Sequence, residues 1–349
     1  MILMIFYYAL GFGLSYMGDV QEVSISDPQV VQRKDFIGYK YRVKNIKIES
    51  SVKQVENYSF EGFTKLETIY ISENVESFSS SATLNCKNLN SITVSENSQY
   101  FCNDYDKNLY SKDKTVLIRV MPKKTNLLSP VVRNFTIPSS VSTIQQYAFA
   151  NTELFGVDFE RNSQISALGI LSFSLSDLSF ITIPSSVTTI QNQAFYKCRR
   201  LQNAIFEENK NTQKRICYES FSYTSISVFV FPNNCFVEDD VFSHCQSLTE
   251  ISIQDSSTQI SVNTFSGCLS ITNISLNSDR YDYSYYHLFN KDHTVLYYIA
   301  RYYDKIPFYV NLSKINYLCD TAFLNVNISM LQFINQEPGK YSIEKGIVS

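Results

Sequence analysis

Hydrophobic residues recur along this chain at fixed positions within a repeat of just over twenty residues. Residues 181–201 show the pattern in full, as Ile-x-Ile-Pro-x-x-Val-x-x-Ile-x-x-x-Ala-Phe-x-x-Cys-x-x-Leu. The Phe of this pattern returns from Phe149 to Phe265 at intervals of 24, 22, 26, 21 and 23 residues. A period of this length with apolar residues fixed inside it is typical of a solenoid of stacked coils. We therefore predict a repeat solenoid, mainly β, with short turns or 3-10 segments.

Each repeat contains one segment in which apolar and polar residues alternate, as in Leu66-Glu-Thr-Ile69-Tyr-Ile71. Such alternation predicts a strand that buries one face. The segments run from Val43 to Phe333, so we place the solenoid at residues 43–333.

The period breaks twice, at about residues 97–130 and 277–307. Residues 108–118 within the first break resemble residues 287–297 within the second, at an offset of 179. Each has two apolar segments around a polar Lys-Asp turn, which predicts a β-hairpin. We expect two β-hairpins inserted into the solenoid.

The two ends of the chain differ from the repeats. Residues 2–14 are continuously apolar and precede small residues, which favours a signal peptide at 1–18; a buried first strand or cap is the alternative. Residues 19–42 are then an N-terminal cap, and residues 334–349 form a polar C-terminal tail. The remainder of the sequence contains no segment that resembles a membrane span.

Composition and motifs argue against catalysis and nucleic-acid binding. The net charge is −3 without a basic stripe, so we expect no nucleic-acid partner. The three histidines lack a carboxylate or second histidine at ligand spacing, and Asp104-Tyr-Asp106 lacks the glycine and closing Glu of a calcium loop. We predict no catalytic residues, no metal site and no cofactor, hence a protein that is not an enzyme.

The eight cysteines do not form a metal-binding pattern. Cys198, Cys245 and Cys268 each follow the repeat's Phe by three residues, which suggests a ladder of buried thiols, with a disulfide between neighbouring coils as the alternative. The other five share no register.

The pattern at 181–201 resembles the BspA-like leucine-rich-repeat family, also called the Treponema pallidum type. The hairpin form of this family, Asn-x-Leu-Tyr-x-Lys-Asp-x-Thr-x-Leu, is met within 108–117 from its Leu-Tyr step onward, with Asn108 directly before Leu109. The resemblance implies a leucine-rich-repeat fold and a surface or secreted binding protein of bacteria or of parasitic protists such as trichomonads. Its expected partners are extracellular or host proteins. Many protist members carry a C-terminal transmembrane helix, which this sequence lacks, so the resemblance leaves anchoring open.

Outward strand positions are mostly small or polar, but a few carry apolar side chains. Such a row is a candidate protein-binding patch on the concave face, unless flanking loops cover it. Its members are Tyr70, Phe180, Ile205, Val228 and Val230.

A rival surface is the tyrosine-rich second hairpin, since Tyr offers large contact area at low entropic cost. Packing of these rings against the adjacent coil is the alternative. The candidates are Tyr281, Tyr283, Tyr285 and Tyr286.

Five sequons predict weak glycosylation sites, and those at outward strand positions would crowd the concave face. They are Asn57, Asn134, Asn273, Asn311 and Asn327.

The sequence therefore predicts a non-enzymatic protein that binds or adheres to other proteins, at the cell surface or after secretion. An intracellular scaffold, in which residues 2–14 form a structural cap, is the alternative, and an enzyme of unknown type is a distant third.

Overall fold

The computed structural model describes residues 22–27, 29–35, 40–121, 134–208, 212–284, 286–299, 308–311, 314–319, 331–334, 343–344 and 347–348. The chain divides into two compact units. Unit 1 comprises Met1–Ile165 with Gly169–Leu178, and unit 2 comprises Ser166–Leu168 with Ser179–Ser349. The fold is the predicted repeat solenoid, built mainly of short β-strands, with a 3-10 helix at Ser80–Thr83. No residue within the described ranges is α-helical.

The strands of unit 1 form parallel sheets to which each coil gives one strand. Four strands pair in the order β1-β3-β5-β7, three pair as β2-β4-β6, and β11 pairs with β13. In chain order the strands are β1 (Glu22–Ile25), β2 (Val30–Val31), β3 (Asn45–Ile48), β4 (Gln54–Val55), β5 (Thr68–Ile71), β6 (Ser77–Phe78), β7 (Ser91–Val94), β8 (Phe101–Asn103), β9 (Leu109–Ser111), β10 (Val116–Arg119), β11 (Asn134–Ile137), β12 (Thr143–Ile144) and β13 (Gly156–Phe159).

Unit 2 repeats this arrangement. Its parallel pairings are β15-β17, β14-β16-β18-β20-β22, β19-β21-β23 and β27-β29. The strands are β14 (Ala167–Leu168), β15 (Phe180–Ile183), β16 (Thr189–Ile190), β17 (Asn203–Phe206), β18 (Lys214–Ile216), β19 (Val228–Val230), β20 (Cys235–Val237), β21 (Glu250–Ile253), β22 (Gln259–Ile260), β23 (Asn273–Leu276), β24 (Tyr281–Ser284), β25 (His287–Asn290), β26 (Val295–Ile299), β27 (Phe308–Asn311), β28 (Tyr317–Leu318), β29 (Leu331–Ile334), β30 (Ile343–Glu344) and β31 (Ile347–Val348).

The predicted domain boundaries can be compared with these strands only in part. Residues 19–42, predicted as a cap, contain β1 and β2, which pair with β3 and β4 as successive coils do. The predicted signal at 1–18 lies outside the described residues. In the predicted tail, 334–349, β30 and β31 pair in antiparallel fashion. Within the described part of the chain, no helix has the length and apolar character needed to cross a bilayer.

Inward strand residues and the repeat's Phe form the core of each unit. In β5, Ile69 and Ile71 are fully buried while the alternating residues are half-exposed, as the period of two predicts. The Phe side chains of neighbouring coils stack face to face. In unit 2, the ring centroid of Phe221 lies 5.0 Å from that of Phe195 and 5.6 Å from that of Phe242. Phe221 therefore contacts the equivalent Phe of the preceding coil and the equivalent Phe of the following coil.

The turn after each Phe is also hydrogen-bonded from coil to coil. Phe221 N donates to Val241 O at 3.0 Å, and Tyr223 N donates to Ser243 O at 3.0 Å. Tyr223 has φ 59°, in the left-handed region, and the same position is left-handed in other coils of both units. These are Gly62, Asn85, Asn151, Leu175, Lys197, Tyr223, His244 and Gly267. The left-handed backbone conformation points the N–H along the stack, and it costs a non-glycine residue about 1–2 kcal/mol.

A thiol hydrogen bond joins successive coils three residues after the Phe position. Three thiols each donate over 2.9–3.1 Å to the carbonyl oxygen of the Phe in the preceding coil: Cys86 to Phe60, Cys245 to Phe221 and Cys268 to Phe242. The expectation that Cys86 has no repeat register is wrong, because Thr83 replaces the Phe three residues before it and hides the register. All eight cysteines are unbridged. Burial raises the pKa of Cys86 to about 12 and that of Cys245 to about 11, so both thiols are protonated at neutral pH.

Antiparallel strands lie in the two segments where the sequence period breaks. In unit 1, β8 pairs with β9 and β9 with β10, and β10 then pairs with β12 in parallel. In unit 2, β24, β25 and β26 pair in the same antiparallel order, and β26 pairs with β28 in parallel. Residues 122–130 of the first segment and 300–307 of the second lie outside the described residues. That these segments are insertions stays an interpretation of the sequence.

Arg119, at the end of β10, is the largest fully buried side chain among the described residues of unit 1. Its Nη1 donates to the carbonyl oxygens of Tyr147, Ala148 and Ala150 at 2.9–3.1 Å, and its Nε donates to Thr83 Oγ1 at 3.2 Å. Burial lowers the pKa of Arg119 to about 10, so the guanidinium stays charged at neutral pH. Its hydrogen bonds satisfy turn carbonyls that a neighbouring coil would otherwise pair.

Tyr298 holds the corresponding position in unit 2, 179 residues later. It is buried, and its hydroxyl donates to Cys268 O at 2.6 Å. Tyr298 thus bonds a turn carbonyl of the preceding coil, whereas the carbonyls that Arg119 bonds belong to the following coil.

The Phe stack predicts a large cost for truncating one ring. We expect Phe221→Ala to lower the free energy of unfolding by about 3–5 kcal/mol, because the cavity removes contacts with two neighbouring rings. Urea unfolding followed by far-UV circular dichroism measures this. Thr182→Ala, at an exposed position of β15, is the control and should change stability by less than about 0.5 kcal/mol. Equal effects of the two substitutions would contradict the stack.

Replacing the buried guanidinium should also destabilise the fold. Arg119→Met removes the guanidinium donor from the carbonyls of Tyr147, Ala148 and Ala150. The first two keep backbone donors, Ala150 N and Val120 N, so we expect a loss of about 1–3 kcal/mol in the same assay, mainly from Ala150 O. The control is Arg33→Met, which breaks an exposed ion pair with Glu61 and should cost at most about 1 kcal/mol. A variant at position 119 as stable as the wild type would show that those carbonyls do not depend on Arg119.

Candidate protein-binding surface

The outward face of two adjacent coils in unit 2 carries exposed aliphatic side chains. Ile205 of β17 is 60% exposed, and Val228 and Val230 of β19 are 46% and 55% exposed. Ile205 and Val230 hold the same position in their strands, the second outward one. The corresponding residues of other unit 2 strands are Thr182, Ser252 and Ser275. A β-strand accepts Thr and Ser here, so strand formation alone does not call for three aliphatic residues.

The hydrogen-bonded sheet is interrupted between these two strands. β17 pairs with β15, whereas β19 begins a separate sheet with β21 and β23. Every residue of both strands is described, and no ladder joins them. The strands part around a cavity of about 370 Å³, which we call the β17/β19 groove. Its lining includes Ile205, Phe206, Lys214, Val228, Val230 and Phe231.

The groove also reaches side chains that belong to the core elsewhere. Inward residues such as Ile181 and Ile251 are almost fully buried, but Ala204 and Phe206, the inward residues of β17, are only half-buried. Because the strands separate here, inward and outward apolar side chains line the same cavity. Its volume falls in the range of about 300–1,000 Å³ that is usual for binding pockets.

An unusual coil connection accompanies the interruption. Seven residues, 207–213, lead from β17 to β18, against five between β15 and β16 and four between β19 and β20. After this longer connection Lys214 is buried, and its Nζ donates to Val187 O at 2.6 Å and to Ser185 O at 3.4 Å. Burial lowers the pKa of Lys214, although Cys235 and Glu207 act in the opposite direction.

Among the described residues that line the groove, the exposed charged ones are acidic. Glu207 and Glu208 follow β17 directly and both are exposed. Glu207 Oε2 accepts a hydrogen bond from Ser185 N at 3.0 Å, which caps the turn of the preceding coil. Since Lys214 is buried against carbonyls, a molecule approaching from solvent meets an apolar surface beside two carboxylates.

A comparison with known families agrees with the repeat pattern and this fold. The sequence matches the model of the BspA type leucine-rich repeat region in six copies, over residues 16–112, 129–236 and 214–338. The chain belongs to this family. No protein of curated function matches its sequence.

The chain is similar to solved structures of bacterial leucine-rich-repeat proteins. One is a leucine-rich cell surface protein of Faecalibacterium prausnitzii, with a TM-score of 0.52 and 24% identity, over 75% of this chain and 61% of that one. Another is the pneumococcal vaccine antigen PcpA, with a TM-score of 0.49 and 17% identity, over 74% and 66% of the two chains. This BspA-type chain thus spans about three-fifths of the Faecalibacterium protein.

Two other members of the predicted patch differ from the three exposed residues. Phe180 of β15 is half-buried. Tyr70 is half-buried on β5 of unit 1, beside Lys47, to which it is paired in register. The candidate surface of this BspA-type protein is therefore Ile205, Val228 and Val230 in unit 2, and Tyr70 stays a separate prediction.

The tyrosines predicted for the second hairpin have unlike environments. Tyr281 is buried, its hydroxyl donates to Thr258 O at 3.3 Å and accepts from Ile260 N at 2.8 Å, so it packs β24 against the preceding coil. Tyr283 is half-buried and Tyr286 is 43% exposed. Tyr285 lies outside the described residues. We therefore remove Tyr281 from the candidate contact surface.

Polar groups with possible chemistry have structural partners. Asp104 accepts hydrogen bonds from Asn108 N and Nδ2 and from the Tyr110 hydroxyl, which fixes the β8–β9 turn. His293 Nε2 lies 2.7 Å from Asp282 Oδ2. Burial acts to raise the pKa of Asp282, but hydrogen bonds from Ser284 and His293 outweigh it and lower the pKa. Within the described residues no group of His, Cys, Asp and Glu is arranged to hold a metal.

Three of the five sequon asparagines have described side chains. Asn57, Asn134 and Asn273 are all exposed, and the last lies on the outward face of β23 in unit 2. Asn311 is in β27, whose side chains are not described, and Asn327 lies outside the described residues. Glycosylation stays a prediction at each.

Sequence reasoning missed Lys214, Phe206 and the interruption of the sheet whose cavity they line. A signal was present in the sequence, because Ile183-Pro184-Ser-Ser-Val187 has no counterpart after Phe206, where a longer polar segment ends in a lysine.

Proposed function

We propose that this BspA-type leucine-rich-repeat protein is exported and binds other proteins, as an adhesin or secreted binding protein, through the outward face of β17 and β19. The observation that carries the proposal is the exposed aliphatic cluster of Ile205, Val228 and Val230 around the β17/β19 groove. Exposed apolar side chains gathered around a cavity are typical of protein-binding surfaces. The cell-surface description of the Faecalibacterium protein and the apolar residues 2–14 support the exported location.

An intracellular scaffold is the second candidate, and the cysteines favour it. All eight are unbridged, and the thiols at the coil junctions donate to carbonyls. Disulfides are common in exported proteins and rare in the reducing cytosol, so an unbridged set suits an intracellular location.

The first experiment tests the surface. We expect Ile205→Ser/Val228→Ser/Val230→Ser to reduce binding of the purified protein to cells or extracellular matrix at least about tenfold, since apolar anchors at an interface centre dominate affinity. Stability should change by less than about 1.5 kcal/mol in total, because the side chains are exposed. Binding is measured by biolayer interferometry or flow cytometry.

The control is Tyr218→Ser/Phe236→Ser, which removes two exposed aromatic residues (41% and 37%) from elsewhere in unit 2. It should bind as the wild type does. Unchanged binding by the triple variant, or equal loss in both variants, would remove the β17/β19 surface from the proposal.

The second experiment tests export. We expect the protein isolated from its native source to lack roughly the first 15 residues and to lose mass on deglycosylation. Intact-mass measurement, with thiol alkylation under denaturing conditions, gives processing, glycan mass and the number of free cysteines together. An unprocessed and unglycosylated chain would favour the intracellular scaffold.

A further inference from the structure

The structure assigns a partner chemistry to the β17/β19 groove, an inference that rests on the proposed binding function. We infer that the groove takes one extended segment of a partner protein in which apolar residues alternate with Lys or Arg. The argument uses the spacing of the aliphatic residues, the acidic charge at one end of the groove and the burial of Lys214.

The aliphatic residues fit an extended chain. Val228 and Val230 are two residues apart on one strand, so their side chains lie on one face at a separation of ~7 Å. Residues i and i+2 of an extended segment have the same spacing. Ile205 lies opposite, on the far side of the strand interruption, so an apolar side chain entering the groove meets both strands. Such a segment buries alternate side chains and leaves the intervening ones beside the rim.

In the described part of the rim beside this apolar surface, the exposed charges are negative. Glu207 and Glu208 lie at the carboxyl end of β17, next to Ile205, and are exposed. Pro232 and Asn233, which line the same cavity after β19, carry no charge. A Lys or Arg next to the apolar anchor would therefore pair with carboxylates in solvent, where complementary charge favours one partner over another.

An acidic segment is the opposite possibility, since Lys214 also lines the cavity. Its ammonium, however, donates to Val187 O at 2.6 Å and to Ser185 O at 3.4 Å. A carboxylate could recruit it only by being buried beside those carbonyls and past Glu207 and Glu208, which repel it. The groove thus favours a basic segment over an acidic one.

Selection from a random peptide library tests the inference without a known ligand. A phage-displayed heptapeptide library is panned on the immobilised full-length chain and, in parallel, on Ile205→Ser/Val228→Ser/Val230→Ser. We expect peptides enriched only on the wild type to contain apolar residues alternating with Lys or Arg. Enrichment of Asp and Glu would assign the groove to acidic partners, and the same peptides on both proteins would place binding elsewhere; either result overturns the inference.

Defined probes then measure the charge preference. Fluorescein-labelled Gly-Leu-Lys-Leu-Lys-Gly and its matched Leu-Glu peptide are titrated against the wild type, and binding is followed by fluorescence anisotropy. We expect the Leu-Lys peptide to bind more tightly and Glu207→Gln/Glu208→Gln to weaken it about threefold to tenfold, since exposed ion pairs contribute modestly. Gln keeps an oxygen that accepts from Ser185 N, so the cap survives. No loss in the Gln variant, or tighter Leu-Glu binding, overturns the inference.

Two further outcomes separate this inference from the proposed function. If the triple Ser variant loses cell binding but no basic peptide binds the wild type, the surface stands and the assigned segment is wrong. If light scattering after size exclusion shows a wild-type dimer that the triple variant lacks, a second copy of the chain covers the groove and the inference falls.

Discussion

Each coil of this protein depends on hydrogen bonds that it makes to the next coil. A coil closes its own backbone only in part, so N–H groups of its strands and of the turn after the Phe must find acceptors in neighbouring coils. Those at the strand ends donate to the preceding coil, and those of the turn donate to the following coil. The left-handed residue two positions after the Phe makes this possible in the turn, as Tyr223 and His244 show. The stacked Phe rings and the thiols of Cys245 and Cys268 occupy the same junctions. The residues that recur in the repeat pattern are therefore those that make the contacts between neighbouring coils.

The candidate binding surface lies where one such junction is incomplete. Between β17 and β19 the sheet pairing stops, the inward Phe206 is only half-buried, and a cavity replaces the usual contact. In β15, β21 and β23 the outward strand positions carry Thr, Ser, Asn and Glu, apart from the half-buried Phe180. Because exposed aliphatic residues gather at the incomplete junction, the same feature that weakens the stack supplies the surface that a partner can bury.

Much of this could be read from the sequence, and the rest could not for identifiable reasons. The period of two placed Ile205, Val228 and Val230 on the outward face, because alternation fixes the facing of every strand residue. The same rule does not predict that Tyr281 is buried, because the strands of the hairpin do not follow the register of the repeat. Nor could it place Lys214 or Arg119, because the contacts of a long side chain depend on how neighbouring coils stack. Cys86 was missed because Thr83 replaced the Phe that marks the register.

The incomplete junction has a consequence for how the solenoid comes apart. In a repeat stack, cooperativity passes from coil to coil only through the interface that each pair shares. The coils of β17 and β19 lack the ladder on this face, although β18–β20 pairing and the Phe221–Phe242 stack still join them, so opening fluctuations of this sheet should begin between β17 and β19. A partner segment that contacts both β17 and β19 would join the two strands and couple their coils more strongly. Binding in the groove would then reduce opening fluctuations in the coils on either side, including coils that do not contact the partner.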